Sequence, residues 1–171
     1  MELNILRADP AGNITVFVLD PVEKAQRAAI AEKIMAIPEL KAEQVGYACA
    51  AEDDVDGHME MMGGEFCGNA TRAYGMYIAQ QKGGLSSVRL RVSGCDHVVT
   101  AQVDLKSGTA RAEMPCPRSV KRVTVNGHEG MLVDLTGIAH FVVEGVKPSE
   151  GFFRAAESIF SGIAGLDACG V

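Results

Sequence analysis

Cys67 is the residue in this sequence best suited to move a proton. It stands in "MEMMGGEFCGNATRAYGMY", directly before a segment of helical spacing, and is followed by Gly68 and Asn69. At the start of a helix several backbone N–H groups lack intrahelical partners, so the thiol and those donors face the same space. The positive end of the helix dipole favours thiolate, the form that can remove a proton. A carboxylate gathered by the same N–H groups would bring its α-carbon beside the sulfur. The chemistry on offer is proton abstraction next to a carboxylate. The competing account is a buried structural cysteine that merely precedes a helix, since buried cysteines are common.

Asn13 lies in the loop "PAGNITV", Gln44 opens "QVGYAC", and Glu60, with His58 nearby, lies in "HMEMMGGEFC". Taken singly, Asn13 reads as a turn residue, Glu60 as a residue alternating outward on a strand, and His140 in "LTGIAHFVV" as a strand residue with an ordinary hydrogen-bond partner.

The pattern "E-x-C-G-N-x-x-R", here Glu65, Cys67, Gly68, Asn69 and Arg72, resembles the first catalytic motif of diaminopimelate epimerase. That enzyme typifies the cofactor-independent, two-cysteine amino-acid racemases and epimerases, whose "CGNG-x-R" supplies one of two cysteine acid/bases; Ala70 replaces the usual second glycine. "PAGNITV" resembles the family's N-terminal "GLGNDF", and "AEQVGYAC" its "ADQ" segment. "LTGIAHFVV" resembles "VGNPHAV", with His140 matching the histidine and Ile138 and Ala139 in place of Asn-Pro. The resemblance implies a catalytic Cys67, substrate contacts from Gly68, Asn69, Asn13 and Gln44, inversion at the α-carbon of an amino acid, and no need for pyridoxal phosphate or a metal.

Family members continue into a second, similar half that supplies the partner cysteine. Cys169-Gly170 mimics its dipeptide, but only Val171 follows. The expectation is therefore one half-site, with residues 1–171 as the N-terminal catalytic half and the closing residues as the first strand of an absent second half. The partner would be that homologous half, on the same gene or a separate chain; the sequence leaves a homodimer open. The isolated chain is expected to be inactive. Where the family has "N-A-D-G", this chain is shorter by about two residues and carries Glu60, which is closer to the epimerase-like histidine racemases. A carboxylate in the pocket would attract a cationic or imidazole-bearing side chain. Two rival functions remain: an amino-acid binding module without turnover, and a related isomerase with a carboxylate base, which the cysteine before "GN" disfavours.

The elements that must position these residues are legible as an alternation of strands and helices. Residues 3–7 and 14–19 read as a hairpin around Asp9, Pro10, Gly12 and Asn13, and 22–36 as a helix between Pro21 and Pro38. Strands over 45–50 and 58–62 flank the acidic loop "EDDVDG", and a nearly uncharged helix spans 68–82. "SVRLRVSG" alternates strictly; "HVVTAQVDLKSGTARAEM" and "KRVTVNGHEGMLVDL" read as hairpins, the second around Asn126-Gly127. A strand over 138–144 and an amphipathic helix capped by Ser149 follow. The predicted fold is α+β: one diaminopimelate-epimerase-like domain, a curved, mostly antiparallel sheet wrapped around a central helix.

Bulk properties narrow the setting. At 171 residues, 47% hydrophobic, the chain can bury one good core or two small ones. A net charge of −6 without a dense basic cluster gives no footprint for nucleic acid or an anionic membrane. No apolar run approaches the roughly 20 residues of a membrane span, and the start lacks a signal-peptide pattern, so a cytoplasmic protein is expected. Five cysteines without a CxxC pair read as free thiols.

Overall fold

Up to residue 112, strand pairing follows chain order. The strands are β1 (Ile5–Ala8), β2 (Thr15–Val18), β3 (Gln44–Cys49), β4 (Gly57–Met61), β5 (Ser87–Val92), β6 (Val99–Asp104) and β7 (Thr109–Ala112), and they form one sheet in the order β1 to β7. The computed structural model describes residues 2–52, 54–135 and 137–171; Asp53 of the acidic loop and Thr136 lie outside the described residues. Contacts gather into two compact units, the first ending at Met114 and the second beginning at Pro115.

Within the first unit, β2–β3 and β4–β5 pair parallel and the other four neighbours antiparallel. Parallel neighbours need a crossover, and the two helices supply them: α1 (Lys24–Met35) between β2 and β3, α2 (Gly68–Gln81) between β4 and β5. The helices take opposite faces, which is why β2 is buried on both. Val16 and Val18 pack with Val45, Tyr47, Ala31 and Ile34 on the α1 side, whereas Phe17 packs with Met59, Ala70 and Tyr74 on the α2 side.

Helix α2 is the axis of this unit. Its side chains share one core with Leu6 and Ala8 of β1, with Val88, Leu90 and Val92 of β5, and with Val103 and Ala110 at the other edge. The sheet therefore curls around the helix until β1 and β7 line opposite sides of one cleft of about 370 Å³, floored by Arg72, Ala73, Met76 and Tyr77. Helix and sheet approach closely at Gly75, where a Cβ would lie 2.7 Å from the Cβ of Ala101. This is the curved, mostly antiparallel sheet around a central helix that the sequence pattern predicts.

The second unit contains β8 (Ser119–Val125), β9 (His128–Asp134), β10 (Gly137–Val143), α3 (Glu150–Phe160) and β11 (Leu166–Gly170), with sheet order β11-β10-β9-β8. Asn126 (φ 49°) and Gly127 (φ 80°) give the tight turn of the β8–β9 hairpin, which needs positive φ at both central positions. Ser149 caps α3 by accepting the Phe152 N–H at 3.2 Å, and the helix buries Ala156 and Phe160 against Val125, Leu132, Ala139 and Phe141. The closing residues form β11, which pairs in parallel with β10 of this same unit. Among the described residues no helix is long and apolar enough to cross a membrane.

Candidate active site

Cys67 is the N-cap of α2, with extended φ −128° and ψ 109°, and its Sγ accepts the Ala70 N–H at 3.4 Å. Its carbonyl accepts the Thr71 N–H at 2.9 Å and the Thr71 hydroxyl at 2.8 Å, which holds the cap in one conformation. Gly68 and Asn69 follow in the first turn, where a helix leaves its N–H donors without intrahelical partners. The approach to the cap is braced from the residues just after β5: the Ser93 hydroxyl donates to the Glu65 carbonyl at 2.7 Å and accepts the Met61 N–H at 2.8 Å. Gly94, at φ 69°, packs directly on the backbone of Phe66.

Strand parity brings the other polar residues to the sulfur. Asn13, Thr15 and Phe17 alternate onto the α2 face, and Thr15 is directly opposite Gln44 in the β2–β3 register. Gln44 Nε2 lies 2.8 Å from Asn13 Oδ1, 2.7 Å from Thr15 Oγ1 and 3.3 Å from Cys67 Sγ. Asn69 Nδ2 donates to the same Asn13 oxygen at 3.3 Å, and the Arg72 guanidinium donates to Asn69 Oδ1. At the other end Asn13 Nδ2 donates to the Glu43 carboxylate at 3.1 Å. Asn13, Gln44, Cys67 and Asn69 thus meet in one network beside Gly68. Thr15 and Glu43 belong to it although the sequence reading did not select them; the two-residue step from Asn13 was the available signal for Thr15.

The arrangement can hold an anion twice over. A sulfur anion has the Ala70 and Gln44 N–H groups as donors, and a carboxylate in front of α2 would meet the N–H groups of Gly68 and Asn69.

Glu60 is not brought into this group. On β4, Met59 and Met61 turn to the α2 core, so Glu60 and His58 turn to the opposite, α1 face. There the Glu60 carboxylate is bound by the Arg27 guanidinium and by Lys24 Nζ at 3.2 Å, with His58 Nε2 at 3.9 Å. Burial works against its charge, but the hydrogen bonds from Arg27 and Lys24 prevail and hold the carboxyl below its usual value. A depressed carboxyl contributes stability above the unfolded-state value and loses it as pH falls through the folded-state value. Glu60→Gln should therefore lower the urea midpoint at pH 7, by about 1–2 kcal/mol in stability. The gap to the parent should narrow as the pH is taken below about 4. A gap that is absent at pH 7, or that widens in acid, would contradict the ion-pair account.

The remaining candidates fall elsewhere. His140 lies on β10 of the second unit, its ring against Gly170. Burial pushes the Cys49 thiol up, with Arg27 opposing. Among the described residues two triads have ligand atoms close enough to share a metal: Cys49, His58 and Glu60, and Cys95, Asp96 and His97. In the first, Arg27 already stands between the sulfur, at 3.4 Å, and the carboxylate; the second consists of consecutive loop residues.

A curved sheet wound on a helix that begins at a cysteine places the chain among α+β proteins of the diaminopimelate epimerase fold. A solved structure described as a predicted epimerase from Pseudomonas aeruginosa superposes with a TM-score of 0.55 at 12% identity, over 92% of this chain and 64% of that one. The chain belongs to the family described as the histidine racemase CntK N-terminal domain, whose profile matches residues 2–165. A histidine racemase from Fusobacterium nucleatum subsp. nucleatum is 33% identical over 151 residues, covering 82% of this chain and 54% of that protein. One from Staphylococcus aureus is 32% identical over 122 residues, covering 69% and 44%. The chain spans about half the length of the curated relatives it matches.

Proposed function

We propose that this chain is one half of a cofactor-independent amino-acid racemase acting on histidine, in which Cys67 is one of two acid/bases. The observation that carries the reading is the Cys67 sulfur at the start of α2, hydrogen-bonded to Gln44 within the Asn13–Asn69–Arg72 network. The substrate carboxylate sits on the Gly68 and Asn69 N–H groups, with Asn13 and Gln44 as polar contacts. Cys67 thiolate takes the α-proton and becomes a thiol, and the electron pair spreads onto the carboxylate, where the N–H donors meet the growing charge. A thiol from the second, homologous half gives a proton to the opposite face, leaving an inverted amino acid and a thiolate on that half. Histidine as substrate is supported by the relatives and the family, not by Glu60, whose carboxylate is engaged by Arg27 and Lys24.

The test is α-proton exchange and enantiomer interconversion in deuterated water across a panel of free amino acids. The protein with both halves should invert histidine, whereas residues 1–171 alone should not reach an enzyme-like rate. Ordinary saturation kinetics from the isolated chain, free of contaminating racemase, would overturn the two-half reading. Inversion of other amino acids but not histidine would overturn the substrate.

A further inference from the structure

The charged ends of the network settle which way every amide in it points. The Glu43 carboxylate only accepts, so the Asn13 atom facing it is the NH2 and the one facing Gln44 is the oxygen. The Arg72 guanidinium only donates, so Asn69 turns its oxygen to Arg72 and its NH2 to that same Asn13 oxygen. Gln44 must then present its NH2 to the site. That group has two hydrogens and three acceptors in reach: Asn13 Oδ1, Thr15 Oγ1 and Cys67 Sγ. Thr15 is 0% exposed, so its hydroxyl has no bulk water as an alternative partner.

We infer that Thr15 is a positioning residue for Cys67: its hydroxyl holds the second Gln44 hydrogen while the sulfur is a thiol and yields it when the sulfur becomes a thiolate. A thiol is a weak acceptor and loses to a hydroxyl; a thiolate is an anion and wins. The hydrogen bond to the sulfur thus strengthens only in the state that must be held. No proton changes owner between Gln44 and its partners. The role rests on Cys67 being the acid/base proposed above.

The other charged and titratable groups around the pair are Glu43 on the β3 side, Arg72 on α2, Glu65 before α2 with its carboxylate turned to Gly63, and Cys95, which packs on the same core. None is altered by the test, which reads the pH–rate profile of Cys67 alkylation by iodoacetamide in the 171-residue chain, mapped by mass. Thr15→Val, of the same shape, leaves the second hydrogen no rival acceptor, so Cys67 should alkylate about three- to tenfold faster at neutral pH, with the profile displaced to lower pH. Thr15→Ser should behave as the parent. In a Gln44→Leu background, which should itself alkylate more slowly, adding Thr15→Val should change nothing.

An unchanged or slower Thr15→Val, or an equal gain in the Gln44→Leu background, would overturn the inference. Should Thr15→Val not fold, Thr15→Ala read against Thr15→Ser decides by the same criteria. The readout is thiol chemistry without turnover, so a racemisation assay that fails while the alkylation pattern holds faults the functional reading and not the exchange.

Discussion

Cys67→Ala, made in a protein that carries both halves, should lower racemisation of either enantiomer by about 100- to 10,000-fold, the range that one positioned acid/base supplies. In the proposed mechanism both directions suffer, because each turnover uses one sulfur to take the proton and the other to return it. The two enantiomers should nevertheless separate in a second readout. On that reading Cys67 faces the α-proton of only one of them. The other can still lose its proton to the second sulfur and regain a solvent-derived one on the same face, so deuterium should enter that enantiomer without inversion. Loss of exchange in both enantiomers alike would mean that Cys67 organises the site and does not itself move the proton. Retention of activity within about tenfold would remove it from the mechanism.

Gly94→Ala should be the most damaging single methyl in the first unit. The new Cβ would lie 2.2 Å from the nitrogen of Phe66, 2.7 Å from the carbonyl carbon of Glu65 and 2.9 Å from the Phe66 Cα. All three are backbone atoms, so no side chain can swing aside. The position also holds φ 69°, which disfavours any residue with a Cβ. Overpacking of this kind costs about 1–3 kcal/mol and the strained backbone about as much again. A fall of roughly 5–20 °C in Tm is expected at 2–4 °C per kcal/mol. Because Glu65 and Phe66 lead straight into the cap, alkylation of Cys67 should be perturbed as well. A Tm within about 2 °C of the parent would show that the loop shifts freely.

Much of this arrangement is legible in the residues. Cys67 before Gly68 and Asn69 announces a helix cap, and the strand alternation announces a sheet with two different faces. Asn13 and Gln44 can be selected only through their resemblance to a family; nothing in their spacing, 31 residues apart, says that they touch. Thr15 escaped notice because a threonine inside "NITVFV" reads as an ordinary strand former. The ion pair that Glu60 makes with Arg27, 33 residues away, is a contact that strand alternation cannot foresee. Alternation says that Glu60 and Met59 part company; it does not say which of them joins the α2 face. The division after Met114 has a local signal in Pro115 and Pro117, which cannot donate to a continuing ladder.

The order of strands in the seven-stranded sheet matches the order in which they are synthesised. Every ladder joins neighbours in the chain, and the longest connections are those occupied by α1 and α2. Closing such short segments costs little chain entropy, so each pairing can form as soon as its second strand is available. Asn13, Gln44 and Cys67 all emerge before the residues of β5, whereas the brace from Ser93 and Gly94 comes after that strand. The contact of β1 and β7 with the same side of α2 is the last to become available. Folding of this unit should proceed as a winding from the amino end, in which the Cys67 sulfur is placed early and held firmly only once the later turns are laid over it.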